Sequence, residues 1–297
     1  MPQPKLKRLY VEITNACNLH CSFCTPCHRP PRLMSPEEFA SIIKQATPFA
    51  PHIYLHVKGE PLLHPQLEEI LAICSKARLP VNLTTNGTLL KKQQQLLLQS
   101  PALRKINLSV HSLEEGSAVD QREYLTNLAQ FGLAAADAGS PIVTYRMWNG
   151  EEGGAVSEAA LAQLQALAQP FGKALAAALP KGRNAAKLAD NVYISFEEQF
   201  QWPSLDLPLA AKRGKCLGGR EMLAVLVDGT VVPCCLDADG VIALGNLFQQ
   251  PLDDIVESPR YVALAAGFCG GNISEELCRR CSYRLRFDKS KKSVKTP

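Results

Sequence analysis

The segment ITNACNLHCSFC, residues 13–24, decides the interpretation of this chain. It presents Cys17, Cys21 and Cys24 at the spacing C-x3-C-x2-C, immediately after a short β-rich run. Three thiolates on one loop can bind three irons of a cubane cluster, because soft thiolate ligands suit iron–sulfur clusters. The fourth iron is then left without a protein ligand. An open coordination position of this kind is what a metal needs in order to bind a substrate.

Outside this segment, short β-rich runs alternate with amphipathic stretches. The predicted strands are Arg8–Thr14, Ile53–Val57, Val81–Thr85, Lys105–Val110, Ile142–Trp148 and Val192–Phe196. The predicted helices are Ser35–Ala46, Pro65–Lys76, Leu89–Gln99, a stretch around Glu123–Ala138, and Ser157–Leu179. Strands separated by helices indicate βαβ units and a parallel sheet with right-handed crossovers.

Several predicted strands alternate apolar with polar residues, as in Ile106, Leu108 and Val110. If the apolar set packs under the helices, the polar set lines a concave face, and the chemistry lies at the carboxyl ends of the strands. We therefore expect an α/β fold, a partial (β/α)6 barrel. The polar residues predicted to face its interior are Glu12, His56, His111, Arg146, Tyr193 and Ser195.

The pattern changes after about residue 195, where Pro203, Pro208 and the basic run Lys212–Lys215 indicate a linker. Six of the chain's 11 cysteines follow, between Cys216 and Cys281. We therefore predict a barrel over residues 1–200, a small cysteine-rich module over 201–285 and a basic flexible tail over 286–297.

The composition and the net charge limit the binding partners and the cellular compartment that we expect for this chain. The net charge of +4 is mild, and several of the basic residues lie in the tail, so we expect no nucleic-acid partner. No apolar run is long enough to span a membrane, and the start of the chain has no apolar signal region. We therefore expect a cytoplasmic protein, where clustered cysteines bind metal or do chemistry rather than form disulfides.

The cysteine segment, with the aromatic Phe23 before its third cysteine, resembles the radical SAM superfamily. The resemblance implies that the open iron of a [4Fe-4S] cluster chelates the amino and carboxylate groups of S-adenosylmethionine (SAM). One electron then cleaves SAM to a 5′-deoxyadenosyl radical. Phe23 is expected near the adenine. A structural zinc knuckle completed by His20, Cys27 or His28 stays open as an alternative.

Three further motifs follow in the order that the superfamily predicts. HVKGEPL, residues 56–62, is similar to the Gly-Gly-Glu-Pro motif that holds the SAM amino group. Lys58 replaces its first glycine, which is a departure from the pattern. NLTTNGT, residues 82–88, and NLSVH, residues 107–111, end the next two strands. The resemblance covers residues 8–196 and implies SAM contacts from Gly59, Glu60, Pro61, Thr85, Asn86 and Ser109.

The second group of cysteines has its own spacing. Asp228-Gly229-Thr230 predicts a hairpin turn that brings Cys216 near Cys234, and Cys278 and Cys281 follow as C-x2-C. The arrangement resembles the SPASM or shortened twitch extension of radical SAM enzymes. It implies that these four cysteines hold an auxiliary [4Fe-4S] cluster, with a four-cysteine zinc site as the rival. Three other cysteines are expected to be packing or spare residues: Cys74, Cys235 and Cys269.

The sequence says less about the substrate than about the cofactors. His111 and Arg146 are the candidate substrate residues, since Arg146 could bind a carboxylate and His111 follows the SAM-contact serine. We expect a small-molecule substrate and a flavodoxin or ferredoxin as electron donor. The short architecture is also similar to queuine lyase, which cleaves a C–N bond. A SPASM-type peptide maturase is the alternative, favoured less because the first strand begins near Arg8, and a non-enzymatic zinc-binding module is a third possibility.

Overall fold

The computed structural model describes residues 6–113, 119–149, 157–174 and 185–288. They form two compact units. Unit 1 contains the described residues of 1–16, 22–59 and 200–297, and unit 2 contains those of 17–21 and 60–199. The first residues of the predicted flexible tail are instead structured, since a 3₁₀ turn runs over Ser282–Phe287, whereas Lys289, Lys291, Lys292 and Lys295 lie outside the described residues. The domain boundaries at 200 and 285 stay predictions.

The strands and helices alternate as the sequence predicts over the first part of the chain. The strands are β1 (Arg8–Val11), β2 (Ile53–Tyr54), β3 (Val81–Thr85), β4 (Leu103–Ser109), β5 (Ile142–Asn149), β6 (Ala185–Ala189), β7 (Val192–Glu198), β8 (Met222–Val225), β9 (Thr230–Val232) and β10 (Gly245–Asn246). The helices are α1 (Pro36–Ala46), α2 (Leu67–Lys76), α3 (Leu90–Gln99), α4 (Gln121–Ala138), α5 (Glu158–Ala168), α6 (Leu252–Glu257), α7 (Pro259–Gly270) and α8 (Glu276–Arg280).

Unit 1 is built on the strand order β10-β9-β8-β1-β2. The strand β1 pairs in parallel with β2 on one side and with β8 on the other, from Arg8 opposite Met222 to Val11 opposite Val225. All four residues of β8 are buried, which is typical of a parallel strand covered on both faces. The predicted hairpin is present as β8 and β9, and Gly229 in its turn has φ +84°. The sequence predicted this hairpin but not its pairing with β1, because strand partners distant in sequence leave no local signal.

Helix α1 begins at a well-formed cap in the same unit. The Ser35 Oγ accepts a hydrogen bond from the Glu38 amide, and the Glu38 carboxylate accepts one from the Ser35 amide. Pro36 occupies the first turn. The helix buries Phe39 and Ile42 in the core. This fixes the chain just after the cysteine segment.

Unit 2 has the strand order β3-β4-β5-β7-β6. Its strands β3, β4, β5 and β7 are parallel. Strand β6 was not predicted, and it runs antiparallel to β7. The six predicted strands are thus all present, and the α/β fold with parallel strands is confirmed.

Several predicted boundaries were too long. Strands β1 and β2 end at Val11 and Tyr54, because the following residues enter loops that serve the site. Helix α5 ends at Ala168 and a short 3₁₀ turn follows over Gln169–Phe171, whereas residues 175–179 of the predicted helix lie outside the described residues. Among the helices that the structure describes, none is long and apolar enough to cross a membrane.

Candidate active site and second cysteine cluster

The loop that carries the first cysteines is tied at its base within unit 1. Asn15 donates from Nδ2 to the Pro30 carbonyl at 2.9 Å and accepts from the Arg32 amide at 2.7 Å. Thr14 donates from Oγ1 to the Arg32 carbonyl. These bonds join the two ends of the loop.

Buried Glu12 anchors the same loop. Its carboxylate lies 2.7 Å from an Arg29 nitrogen and accepts hydrogen bonds from the amides of Lys58 and Val227. Burial raises the pKa of Glu12, and the charge of Arg29 opposes that shift. Glu12 was predicted to face the barrel interior as a polar lining residue. In the structure its carboxylate instead connects the ends of β1 and β8 to the cysteine loop.

In unit 2, the carboxyl ends of two strands reach the cysteines. Asn86, one residue past β3, donates from Nδ2 to Cys17 Sγ at 3.9 Å and to Asn18 Oδ1 at 3.0 Å. Cys21 Sγ lies 3.7 Å from the carbonyl oxygen of Ser112, just past β4. Sequence reasoning missed Asn18, whose own amide donates to Thr88 at 2.8 Å. Strand ends therefore meet Cys17 and Cys21, as expected for a site at the carboxyl edge of parallel strands.

Glu60 is buried and organises the turn after β3. Its carboxylate accepts from Thr85 Oγ1 at 2.6 Å, from the Asn86 amide at 2.7 Å and from the Leu62 amide at 2.9 Å. Burial raises its pKa, while these hydrogen bonds act in the opposite direction. Pro61 begins the short turn that Glu60 caps. The carboxylate is therefore held in a fixed position beside Asn86.

Lys58, which departs from the superfamily motif, and Gly59, which keeps it, both lie in unit 1. Gly59 has φ +77°, and a Cβ there would lie 2.3 Å from the Thr14 carbonyl oxygen and 2.9 Å from that of Ala16. Only glycine allows this approach to the backbone that leads into the cysteine loop. The Lys58 ammonium donates to Cys24 Sγ at 3.3 Å and to the Thr25 carbonyl at 2.6 Å.

His111 and Arg146 lie close together in unit 2. His111 Nδ1 donates to the Arg146 carbonyl at 3.1 Å, and its ring stacks on Trp148 with centroids 4.2 Å apart. Burial lowers the pKa of His111 to about 4, so the ring is neutral near pH 7. A neutral imidazole that donates from Nδ1 carries its lone pair on Nε2. The Arg146 guanidinium pairs with Glu197 at 2.6 Å.

The remaining predicted residues lie in different settings. Ser109 is buried and stands opposite Arg146 in register. Phe23 is half-buried in the cysteine loop. Tyr193 donates its hydroxyl to the Asp190 carbonyl, and the buried Ser195 Oγ has no hydrogen-bond partner among the described residues.

The thiols of the first loop fit an iron–sulfur cluster by their chemistry and access. Cys17 and Cys24 are exposed and Cys21 is half-exposed, so a cluster and an external ligand can both reach them. Within the ranges that the structure describes, no three side chains from His, Cys, Asp and Glu stand ready as a metal site. His28 pairs with Asp239 at 3.1 Å, and Cys27 accepts from Asn15.

The second cysteine set is more enclosed. Burial raises the thiol pKa of Cys216, Cys234, Cys278 and Cys281, and the neighbouring thiols of the set raise several of these pKa values further. The mutual effects of these thiols place them in one region of unit 1, although no three of them stand together as a metal site within the described ranges. Four thiols are a suitable donor set for an iron–sulfur cluster or for zinc. Binding either requires the thiols to lose their protons.

Cys235, one of the spare cysteines, lies beside this set: it packs against the same apolar cluster as Cys234, and its thiol helps to raise the pKa of Cys234. This small cluster includes Tyr10 and Val57. Cys269 is exposed on α7. Cys74 is fully buried on α2, and burial raises its pKa to about 12, in keeping with its predicted packing role.

Two known protein families match segments of this chain. The profile of the Radical SAM superfamily matches residues 11–148, and that of SPASM, an iron–sulfur cluster-binding domain, matches residues 216–282. The chain therefore contains a radical SAM domain followed by a SPASM domain. The cofactors of this radical SAM protein are SAM and a [4Fe-4S] cluster, with an auxiliary iron–sulfur cluster in its SPASM domain. Which cysteines hold each cluster remains a proposal.

Individual relatives differ in what they share with this radical SAM chain. A GTP 3′,8-cyclase from Aquifex aeolicus is 38% identical over 116 residues, which are 36% of this chain and 36% of the relative. The chain thus matches little more than a third of that relative's length. The crystal structure of BtrN in complex with AdoMet and 2-DOIA is 19% identical, with a TM-score of 0.60 over 94% of both chains. Streptococcus suis SuiB bound to the precursor peptide SuiA is 16% identical, with a TM-score of 0.56 over 93% of this chain and 71% of SuiB. The two structures share the fold with this chain.

Proposed function

We propose that this chain reductively cleaves SAM and uses the resulting radical to abstract a hydrogen atom from a small-molecule substrate. The observation that carries the proposal is the approach of Asn86 and Ser112 to Cys17 and Cys21. When bound, the [4Fe-4S] cluster supplies the electron that breaks the S–C5′ bond of SAM.

The chain's own residues would act around that event in separate ways. We assign Cys17, Cys21 and Cys24 as the three thiolate ligands. Glu60 holds the turn that presents Thr85 and Asn86, and a polar turn of this kind suits the ammonium and hydroxyl groups of SAM. Ser109, Phe23, Gly59 and Pro61 complete the proposed SAM contacts. The second set, Cys216, Cys234, Cys278 and Cys281, would hold the auxiliary cluster.

We assign His111 and Arg146 to the substrate. His111 is neutral near pH 7, so its ring would meet a polar substrate as an uncharged group rather than as a proton donor. Arg146 already balances the Glu197 carboxylate, and a substrate carboxylate could take that place. The two residues together favour a polar small molecule.

The comparisons support a small-molecule substrate without identifying the compound. The relative from Aquifex aeolicus is named for GTP, and the BtrN structure holds 2-DOIA. GTP is therefore a sensible first compound to test, and a queuine lyase-type C–N cleavage is a second. A peptide maturase is the alternative, supported by the shared fold with SuiB bound to SuiA. A flavodoxin or ferredoxin of a reducing cytoplasm is the proposed electron donor.

The first experiment measures 5′-deoxyadenosine under anaerobic conditions with SAM and dithionite. We expect the wild-type chain to form it, and Cys17→Ala to lower the rate to background. Cys269→Ala, which changes another exposed cysteine, should keep the wild-type rate. Formation by Cys17→Ala at the wild-type rate would refute the assignment.

The second experiment identifies the substrate. Candidate compounds deuterated at their C–H positions are incubated with the reduced enzyme, and the deuterium content of 5′-deoxyadenosine is measured. Transfer from a small molecule supports the main proposal. Transfer from a peptide alone would favour the maturase.

A further inference from the structure

Lys58 places a positive charge at the edge of the proposed cluster. This lysine stands where the superfamily motif has its first glycine, and it is 6% exposed. Its Nζ lies 3.3 Å from Cys24 Sγ, within the distance at which an N–H can donate to sulfur. A nearly buried ammonium next to a cluster ligand needs an explanation, because burying a charge is costly unless it is paired.

Two further contacts fix the direction of the ammonium. It donates to the Thr25 carbonyl at 2.6 Å, and it lies 3.7 Å from the centroid of the Trp202 ring. An ammonium over an indole face is attracted by the ring's electrons. The backbone amide of Lys58 also donates to buried Glu12, which holds the start of the side chain in place. The group is therefore positioned from several sides, all within unit 1.

We propose that Lys58 tunes the SAM-cleaving cluster, by donating a charge-assisted hydrogen bond to the Cys24 sulfur and so raising the cluster's reduction potential. The inference rests on the proposed function, in which Cys24 is a cluster ligand. Hydrogen bonds to the sulfurs and local charge are two of the properties that set the potential of an iron–sulfur cluster. Reduction adds one negative charge, and a fixed positive charge in a partly desolvated place stabilises that state.

The test is a redox titration of the anaerobic full-length enzyme, followed by electron paramagnetic resonance. The signal of the SAM-cleaving cluster is recognised by its change when SAM is added, which separates it from the auxiliary cluster. We expect Lys58→Met to disfavour reduction by tenfold or more, which corresponds to a fall of about 59 mV for one electron. Methionine keeps much of the aliphatic volume and removes both the charge and the N–H donor.

Two matched variants separate the causes. Lys92→Met removes a charge from an exposed lysine on α3 and should leave the potential unchanged. Lys58→Gln keeps an N–H donor without the charge, so its potential should lie between those of the wild type and Lys58→Met. Iron counts on each variant establish that the cluster is present.

Several results would overturn the inference. A Lys58→Met enzyme with full iron and the wild-type potential would do so. So would loss of the cluster from both Lys58→Met and Lys58→Gln, because Lys58 would then be needed to assemble the loop. A weaker affinity for SAM at an unchanged potential would make Lys58 a SAM contact instead. If the wild-type enzyme shows no signal that responds to SAM, the proposed function fails and not this inference alone.

Discussion

The two cysteine sets differ in access although both consist of thiols. Cys17 and Cys24 of the first set are exposed, and their loop is closed by a hydrogen bond from Asn15 to the Pro30 carbonyl and one from the Arg32 amide to Asn15. In the second set Cys281 is buried and the other three cysteines are half-buried, and desolvation raises the pKa of all four thiols. Three accessible ligands leave room for an exchangeable ligand, whereas four enclosed ligands complete a metal's coordination. The same donor chemistry thus suits a reactive site in one place and a closed site in the other.

The largest expected effect separates the sets by reaction. Cys24→Ala should reduce 5′-deoxyadenosine formation to background, because one of three ligands is lost from a site with an open position. Cys234→Ala should keep formation of 5′-deoxyadenosine in the presence of dithionite. The measurement is chromatographic quantification under anaerobic conditions. Equal loss in both variants would mean that the sets do not act separately.

The second-largest expected effect is on the metal content of the protein. The reconstituted wild-type chain should hold about eight irons, two cubane clusters of four, and the combined Ala variant of Cys216, Cys234, Cys278 and Cys281 about four. Cys235→Ala is the matched control, because it changes a neighbouring thiol outside the set. Iron and zinc are counted on the same samples. Zinc in the wild type that disappears from the combined variant would make the second set a zinc site.

The link between the loop and the SPASM segment is tested by stability. Glu12→Gln should lower the free energy of unfolding by about 3 kcal/mol, because it leaves Arg29 without its buried partner. Glu221→Gln breaks the exposed pair with Lys7 and should cost less than about 1 kcal/mol. Urea unfolding of the three proteins gives both values. Equal losses would show that burial of the Glu12 pair adds nothing.

The smallest effect is a pH dependence in unit 2. The pKa of His111 is about 4 in the folded chain and 6.5 ordinarily, so the unfolded chain binds the proton first as the pH falls below 6.5. Stability should therefore decrease from pH 6.5 towards pH 4, by about 1 kcal/mol at pH 5 once solvent screening is allowed for. His111→Phe keeps an aromatic ring against Trp148 and should remove this contribution. Unfolding at pH 7 and pH 5 measures it, and the same slope in both proteins would contradict a neutral buried His111.

Local signals explain how much could be predicted from the sequence. Strand β3 matches its predicted range, and the β8–β9 hairpin was expected from Asp228-Gly229-Thr230, because alternation and turn residues act over a few positions. The pairing of β8 with β1 was not predicted, since it joins residues more than two hundred positions apart in the chain. The structural role of Glu12 was missed because its contacts with Arg29, Lys58 and Val227 form only when the chain folds. Its alternation with apolar residues identified a polar position but not the partner, Arg29.

In the proposed site, too, some features could be predicted from the sequence and others could not. The cysteine spacing and the motif order indicated the cofactors, which the family comparison confirms. Lys58 was visible in the sequence only as a departure from a glycine. Its contacts with Cys24 and with Trp202 depend on folding, because Trp202 comes from a segment after the last predicted strand. The contacts that surround Lys58 could therefore be known only from the structure.

The central claim is that Cys17, Cys21 and Cys24 hold a [4Fe-4S] cluster with an iron open to SAM. Electron paramagnetic resonance of the dithionite-reduced full-length enzyme, recorded with and without SAM, tests it most directly. The account predicts a [4Fe-4S] signal that changes when SAM is added and is absent from Cys21→Ala. A signal that does not respond to SAM, or one that persists unchanged in Cys21→Ala, would contradict it.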